Sequence, residues 1–354
     1  MARGLRLSVP GTAVIALVLG VVGSAIAQEK ILRVTGFGSG YQDGLRAAYF
    51  QPFEKATGIK VIEDTWNGEI GKIRAMVQAG KVTGDLFNGN PWDGVTGCDE
   101  GILEKIDKKF LGDQSDFMKE SLSECSISTD VWTYMWAWDG DRHKFGPNEG
   151  PKTIADIFDT KKFPGKRGFP KRIYSLAEVA LLADGVPPDK IYQVLGGPGG
   201  LDRAFKKLDT IKKDIVWWTS NAQQPQLLAD GQVDYVMINS SRYYRARVID
   251  KKNFQPMWDG QVYSYDAWFI PKGAPNRENA IKFLEFITQP QIMAAITAEV
   301  SYPPTRKSAM KYVKADMLPD LPTSHFTNAV FLDRVWWADR LDSANKQFEA
   351  WLQQ

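Results

Sequence analysis

The sequence has 354 residues, with 44 Lys and Arg against 42 Asp and Glu, and a formal net charge of +2. This length is enough for two ordinary domains, and the near balance of charge argues against a nucleic-acid partner. A hydrophobic fraction of 44% and an aromatic fraction of 12% are typical of a globular protein rich in aromatic surface.

Residues 1–27 have the pattern of a secretory signal peptide. Arg3 and Arg6 form a short basic region, an apolar run follows, and Ala25-Ile26-Ala27 is a small-residue cleavage site. Cleavage before Gln28 removes two arginines and no acid, so the formal charge falls from +2 to zero. No later stretch reaches the ~18 apolar residues of a membrane helix. We therefore expect an exported, soluble, periplasmic protein; an uncleaved anchor is the alternative.

Cys98 and Cys125 are the two cysteines. In an oxidising compartment an even pair predicts one disulfide, and free buried thiols are the alternative. The two histidines, His143 and His325, belong to no zinc-binding pattern such as HExxH. We expect no metal and no cofactor.

The N-terminal third alternates strands with helices, which predicts an α/β fold with a mostly parallel sheet. The predicted strands are 31–35, 59–62 and 85–87, and the predicted helices are 45–57 and 69–79. Ligands of such sheets bind beyond the carboxyl ends of the strands. Phe37 and Tyr41, in a glycine-rich turn, and Trp92 follow such ends. The turn lacks the third glycine of a dinucleotide-binding loop.

A second α/β cycle follows an aromatic strand at 131–138, so we place a crossing between two domains near residue 138. Its predicted helices are 175–183, 188–195 and 201–211, and its predicted strands are 214–219 and 233–239. An amphipathic helix is predicted over 276–288. The tail from Met317 carries Trp336, Trp337 and Trp351 and is predicted to pack back on the body.

The stretch Val262–Pro271, VYSYDAWFIP, predicts a buried strand with one carboxylate, Asp266, among aromatic residues. A buried carboxylate costs several kcal/mol unless it is paired. Two interpretations are open. Asp266 is either a structural residue bonded to backbone N–H groups or the base of an aromatic pocket for a cation.

Several blocks together resemble a known family: FEKATGIKV, GILEKID, DAWFIP, FITQP and YPP. They are similar to those of periplasmic solute-binding proteins of ABC importers, and most similar to the spermidine/putrescine-binding type. The resemblance implies a type II periplasmic-binding fold with two α/β lobes, each a mostly parallel sheet flanked by helices, and the ligand in the cleft between them. It places lobe I at 28–137 and 267–312, lobe II at 138–266, and a C-terminal segment at 313–354. It also implies a monomer that delivers a small amine to an ABC permease in the inner membrane.

Residues carried over from the family give a candidate binding site. Asp266 matches the aspartate that binds an ammonium, and Glu178 matches a glutamate that binds a second amine. The aromatic residues that hold the alkyl chain correspond to Phe37, Tyr41 and Trp92.

Two tryptophans of the polyamine type are replaced by Asn239 and Ser264, and Trp218 or the adjacent Trp217 is expected to restore aromatic surface. Arg242 suits a carboxylate better than a second ammonium. A polyamine such as putrescine or spermidine is therefore the first expectation, and a zwitterionic ω-amino acid such as 4-aminobutyrate is the alternative.

An exported hydrolase is a distant alternative. The sequence has no G-x-S-x-G motif, and neither histidine has an evident nucleophilic partner. We expect a binding protein and not an enzyme.

Overall fold

The computed structural model describes Met1, residues 30–146 and residues 149–354. Apart from Met1, the predicted signal peptide lies outside the described residues. In these ranges no helix is both long enough and apolar enough to cross a membrane.

One mixed sheet organises the part of the chain that the structure describes. Its strands are β1 Ile31–Gly36, β2 Lys60–Thr65, β3 Leu86–Gly89, β4 Ser126–Asp139, β5 Arg167–Pro170, β6 Ile215–Trp218, β7 Tyr235–Asn239, β8 Phe254–Phe269 and β9 Val330–Phe331. The strand order is β2-β1-β3-β8-β4-β7-β5-β6, and β9 pairs with β8.

The α-helices lie between and after these strands. Their bounds are α1 Ser39–Leu45, α2 Gln51–Thr57, α3 Ile70–Gln78, α4 Pro91–Asp99, α5 Ile154–Phe158, α6 Leu176–Ala183, α7 Ile191–Leu195, α8 Gly200–Asp209, α9 Gln223–Ala229, α10 Ser240–Tyr244, α11 Arg277–Ile287, α12 Pro290–Val300 and α13 Arg334–Leu352.

The sheet divides into two lobes joined by two long strands. In lobe I β1 pairs in parallel with β2 and β3, and in lobe II β5 pairs in parallel with β6 and β7. The antiparallel pair β4 and β8 runs through both lobes, because β3 joins one end of β8 and β7 joins one end of β4. The predicted two-lobed type II fold is confirmed. The predicted lobe boundaries at residues 138 and 266 fall inside these crossing strands.

The observed bounds of β4 lie closer to the predicted strand at 131–138 than the bounds of β8 lie to the predicted strand at 262–271. β8 begins at Phe254 rather than at Val262. Its first half contains Pro256 and a left-handed Gly260 with φ of +68°, which interrupt the apolar pattern. The pairing with β4 is correspondingly irregular between Tyr134 and Trp136.

The glycine-rich turn after β1 is shorter than predicted. A helical stretch begins at Ser39 and continues through one π-helical turn into α2, so Tyr41 lies in the first turn of a helix and is half-buried. Gly44 is required there, because an added Cβ would lie 2.4 Å from Val300 Cγ1 on α12. Tyr41 therefore lies in a helix and not in the glycine-rich turn in which it was predicted.

The C-terminal helix and one disulfide secure the periphery. Asp333 caps α13 by accepting from two backbone N–H groups. Trp351 stacks on Phe205 of lobe II at 5.4 Å between ring centroids. The structure joins Cys98, in α4, to Cys125, just before β4, in a disulfide.

Candidate functional site

The carboxyl ends of the parallel strands in both lobes carry the candidate site. In lobe I, Phe37 and Tyr41 follow β1, and Trp92 and Asp93 follow β3. In lobe II, the strand ends supply Arg172 and Tyr174 after β5, Trp218 at the end of β6, and Asn239 and Arg242 at and after the end of β7. This is the edge at which open α/β sheets bind ligands.

The crossing strands supply the surface between these two sets of strand ends. Side chains alternate along a strand, so Asp130, Trp132 and Tyr134 of β4 share one face. Asp266 lies opposite Asp130, and Ser264 lies opposite Trp132. One face of the crossing pair therefore carries, in order along β4, the two carboxylates of Asp130 and Asp266, then Trp132, and then Tyr134.

We call Asp130 and Asp266 the acidic end of the site. Asp130 is fully buried and Asp266 is 7% exposed. Tyr41 Oη donates to Asp130 Oδ2 at 3.1 Å, and Thr129 Oγ1 donates to the same oxygen at 3.2 Å. Asp130 Oδ1 is buried and has no partner among the described residues.

Burial dominates the electrostatics of the acidic end. It raises the pKa of Asp130, against the hydrogen bonds from Tyr41 and Thr129. Burial also raises the pKa of Asp266 well above its usual range, and the negative charge of Asp130 raises it further. Because the two carboxyl groups are buried and lie opposite each other in the sheet, they do not both ionise unless a cation is present.

The opposite end of the site is an arginine cage, formed by Arg172, Tyr134, Tyr174 and Trp218. The Arg172 guanidinium carbon lies 4.8 Å, 4.7 Å and 5.1 Å from the three ring centroids in that order. Arg172 Nε is buried without a partner, and no ion pair of Arg172 occurs within the described ranges. A guanidinium stacked on aromatic rings can still bind a planar acceptor such as a carboxylate through the N–H groups in its plane.

Contacts between the lobes close the cleft. Trp92 of lobe I lies 4.9 Å from Tyr174 of the arginine cage, measured between ring centroids. Tyr302, which follows α12 in lobe I, donates through Oη to Asn239 Oδ1 at 3.0 Å. Asn239 also caps α10 by accepting from Ser241 N–H. Trp92 and Asn239 are therefore both residues of the lobe interface.

Glu178, which the resemblance assigns to a second amine, has one carboxylate oxygen, Oε2, without a partner among the described residues. Glu178 is fully buried in α6 and accepts through Oε1 from Tyr192 Oη at 2.7 Å and from Trp337 Nε1 at 2.8 Å. Burial raises the pKa of Glu178 to about 7. Its hydrogen bonds thus run to α7 and α13, and not to the acidic end.

The remaining predicted residues lie around the cleft with different contacts. Phe37 is half-buried beside Gly68, where an added Cβ would lie 3.0 Å from its ring. Ser264 is fully buried, and its hydroxyl has no partner among the described residues. Arg242 is half-buried and makes no ion pair or hydrogen bond within those residues. Trp217, unlike Trp218, packs on α13.

Sequence reasoning missed Asp130, Arg172 and Tyr174. The alternation of Asp130, Trp132 and Tyr134 on the aromatic strand is a signal for the first of these. Arg172 lies two residues beyond β5. Ligands of open α/β sheets bind beyond the carboxyl ends of strands, so this position would indicate a site residue once the strand is known. Asp93 was also missed; burial raises its pKa to about 7, against a hydrogen bond from Asn90.

A cleft between two α/β lobes, lined by aromatic rings and charged at both ends, defines a binding protein for a small polar molecule. The model of the family "Bacterial extracellular solute-binding protein" matches residues 48–323. The chain belongs to this family. The predicted membership among the solute-binding proteins of ABC importers is confirmed.

Several similar proteins are named for the solutes that they bind. The chain is 35% identical to the gamma-aminobutyric acid-binding protein of Pseudomonas aeruginosa over 335 residues, 94% of each chain. It is 32% identical to a solved GABA receptor, with a TM-score of 0.82 over 91% of this chain and 97% of that one. Identity to the spermidine/putrescine-binding periplasmic protein of Salmonella typhimurium is 22%, over 86% of each chain. These relatives are solute-binding proteins, which indicates a role in transport and not in catalysis.

Proposed function

We propose that this protein captures a zwitterionic ω-amino acid of the 4-aminobutyrate class in the periplasm and delivers it to an ABC permease in the inner membrane. The ammonium of the ligand pairs with Asp266, and its carboxylate is bound by an arginine of lobe II. Aromatic side chains from both lobes cover the methylene chain between these charges.

The observation that carries the proposal is the opposite charge at the two ends of one face. The acidic end lies at Asp130 and Asp266, and the arginine cage packs on Tyr134 of the same strand. A polyamine needs an acid at both ends, whereas this cleft presents an unpaired guanidinium at the second end.

An ω-amino acid reaches further along this face than an α-amino acid does. Asp130 and Tyr134 are four residues apart on β4, so their Cα atoms, which bound the face, are about 13 Å apart at the usual rise of a strand. The amine nitrogen and carboxylate carbon of 4-aminobutyrate are separated by four bonds of about 1.5 Å, or about 5 Å when extended. A charge-assisted hydrogen bond of about 2.8 Å at each end brings the span to about 11 Å. An α-amino acid falls about 2.5 Å shorter by the same bond lengths.

Arg172 and Arg242 are both candidates for the carboxylate. Arg242 was predicted from sequence and stays a prediction; it follows the β7 end that pairs with Tyr134. Arg172 contacts the aromatic rings of the cleft directly. We assign the carboxylate to Arg172, because its cage also contacts Trp92 of the opposite lobe through Tyr174.

Polyamine binding is the second candidate, supported by the quoted sequence blocks and by the 22% identical relative. In this cleft Glu178, which matches the polyamine-binding glutamate, is bonded to Tyr192 and Trp337. A second ammonium would therefore meet the Arg172 guanidinium, and the acids nearest to the cage are Glu178, whose Oε2 has no partner among the described residues, and Asp93, whose charge acts on Tyr174.

Calorimetric titration of ligand-stripped protein tests the proposal. The panel contains 4-aminobutyrate, 5-aminovalerate, glycine, putrescine and spermidine, with the variant Asp184→Asn as a control for the loss of one exposed acid. We expect the ω-amino acids to bind at least 100-fold more tightly than putrescine and glycine. Tighter binding of putrescine or spermidine than of either ω-amino acid overturns the proposal in favour of the polyamine reading.

A further inference from the structure

Asp130 has no role in the sequence-based site, yet it occupies the centre of the acidic end. The antiparallel register places it directly opposite Asp266, where Cα atoms are about 4.5–5.5 Å apart and side chains point to the same face. Like charges in directly opposed positions destabilise a sheet. A pair of this kind persists when it shares a proton or binds a cation.

Among the described residues, the titratable groups that act on the pair are tyrosines and not cations. Tyr41 from α1, Tyr49 from the following π-helical turn, Tyr302 after α12 and Tyr174 from lobe II interact with one or both carboxyl groups. Within β4, Thr129 and Trp132 add hydrogen bonds to Asp130 and Asp266 respectively. Burial raises the pKa of each of these four tyrosines, so all of them are neutral at neutral pH.

One carboxylate oxygen of the acidic end also has no donor among the described protein groups. Asp130 Oδ1 is buried and has no partner among the described residues, although Oδ2 of the same group accepts two hydrogen bonds. A proton held between Asp130 and Asp266 gives a buried carboxyl oxygen a donor in the free protein, and an N–H group of the ligand replaces that donor when the amine binds. A primary ammonium carries three N–H donors and one positive charge, which is enough to serve both carboxylates.

We propose that Asp130 is a second ligand-binding carboxylate, that it shares one proton with Asp266 in the free protein, and that the pair releases this proton to solvent when the protonated amine of the ligand binds. This inference rests on the proposed binding of an amine at the acidic end. It adds the number of protons released on binding and the kind of amine that the site selects. The proton leaves from a carboxyl oxygen of the pair, and the ligand keeps all of its own protons. The site then selects nitrogens that have N–H donors and discriminates against quaternary ammonium groups.

The sign of the pH dependence follows from the shared proton. Below the range in which the pair titrates, the ligand must displace a proton, so affinity falls as the pH is lowered. As the pH rises through that range the displacement costs less, and affinity rises. A site with a single ionised carboxylate lacks this dependence near neutral pH.

Titration calorimetry of the full-length mature protein in two buffers of different ionisation enthalpy measures the proton directly. At pH 7 we expect 4-aminobutyrate to release about 0.5–1 proton per site from the wild type and almost none from Asp130→Asn. The variant should fold, since it loses a like-charge neighbour, and its unliganded melting temperature should equal or exceed that of the wild type. Its affinity for 4-aminobutyrate should fall at least 10-fold.

A matched ligand and a matched variant separate this inference from the proposed function. The trimethylammonium analogue of 4-aminobutyrate should bind the wild type at least 100-fold more weakly, and Asp184→Asn should release the same proton as the wild type. Binding of 4-aminobutyrate without proton release, or with equal release from Asp130→Asn, overturns the inference and leaves the proposed function intact. No binding of any ω-amino acid overturns the proposed function itself.

Discussion

Replacing Arg172 tests how the cleft recognises its ligand. The guanidinium lies within 5.1 Å of three ring centroids and has no acidic partner among the described residues. If it holds the ligand carboxylate through two charge-assisted hydrogen bonds, their loss in Arg172→Ala costs about 3 kcal/mol of binding free energy, roughly 150-fold in Kd. Arg172→Lys keeps the charge but loses the planar fork and the ring stacking, so an intermediate loss of about 10-fold is expected.

The assay compares two ligands that differ only at the carboxylate end. Calorimetry with 4-aminobutyrate and with n-butylamine, on wild type and Arg172→Ala, forms a thermodynamic cycle that isolates the contact between guanidinium and carboxylate. We expect the variant to weaken 4-aminobutyrate strongly and n-butylamine within about threefold. Thermal melting of each variant reports any loss of packing in the arginine cage.

Two results would refute this reasoning. Equal weakening of both ligands shows that Arg172 only supports the pocket. An unchanged affinity of Arg172→Ala for 4-aminobutyrate, together with a 100-fold loss in Arg242→Ala, assigns the carboxylate to Arg242.

Three further predictions concern lobe closure, the disulfide and a buried acid. Tyr302→Phe removes the hydrogen bond to Asn239 between the lobes; calorimetry should show a Kd about fivefold higher, from about 1 kcal/mol. Replacing Cys98 and Cys125 with serine removes a disulfide between residues 27 positions apart. Denaturant titration should then show a free energy of unfolding lower by about 3 kcal/mol, and ligand affinity should be unchanged. Burial raises the pKa of Glu178 from 4.5 to about 7. The stability that this shift contributes is therefore present below pH 4.5 and is lost as the pH rises through 7. Glu178→Gln should flatten the fall in melting temperature between pH 5 and pH 8, and an unchanged slope contradicts this assignment.

The alternation of strands and helices predicted two α/β cycles with a crossing near residue 138, because local periodicity determines which face of each element is buried. The family resemblance added the two-lobed fold. The crossing pair was harder to delimit. Pro256 and Gly260 interrupt the first half of β8, and only pairing with β4 shows that the strand continues through them. Such pairing depends on residues far apart in the chain, which a local pattern does not contain.

The candidate site was predictable where a residue lies in a recognisable block and not where its environment comes from distant segments. Asp266 stands in such a block, whereas Asp130 acquires its significance from the register of β4 against β8. Arg172 becomes distinctive only through rings contributed by three separate segments. The ligand contact of Glu178 stays a prediction, and its sequence block contained no sign of the hydrogen bonds that Tyr192 and Trp337 donate to Oε1.

The choice between a polyamine and a zwitterion reduces to the charge at each end of the cleft. An acidic end that holds one proton carries one negative charge, and Arg172 carries one positive charge at the other end. A zwitterion places an ammonium at the first end and a carboxylate at the second, so that each ligand charge meets an opposite charge after the shared proton has left. A diamine places its second ammonium beside the Arg172 guanidinium, and a buried uncompensated charge costs several kcal/mol. Glu178 is the acid that the polyamine motif predicts for the second amine, and its Oε1 already accepts hydrogen bonds from Tyr192 and Trp337. The proposed preference for an ω-amino acid therefore rests on Arg172, which has no ion-pair partner among the described residues at the second end.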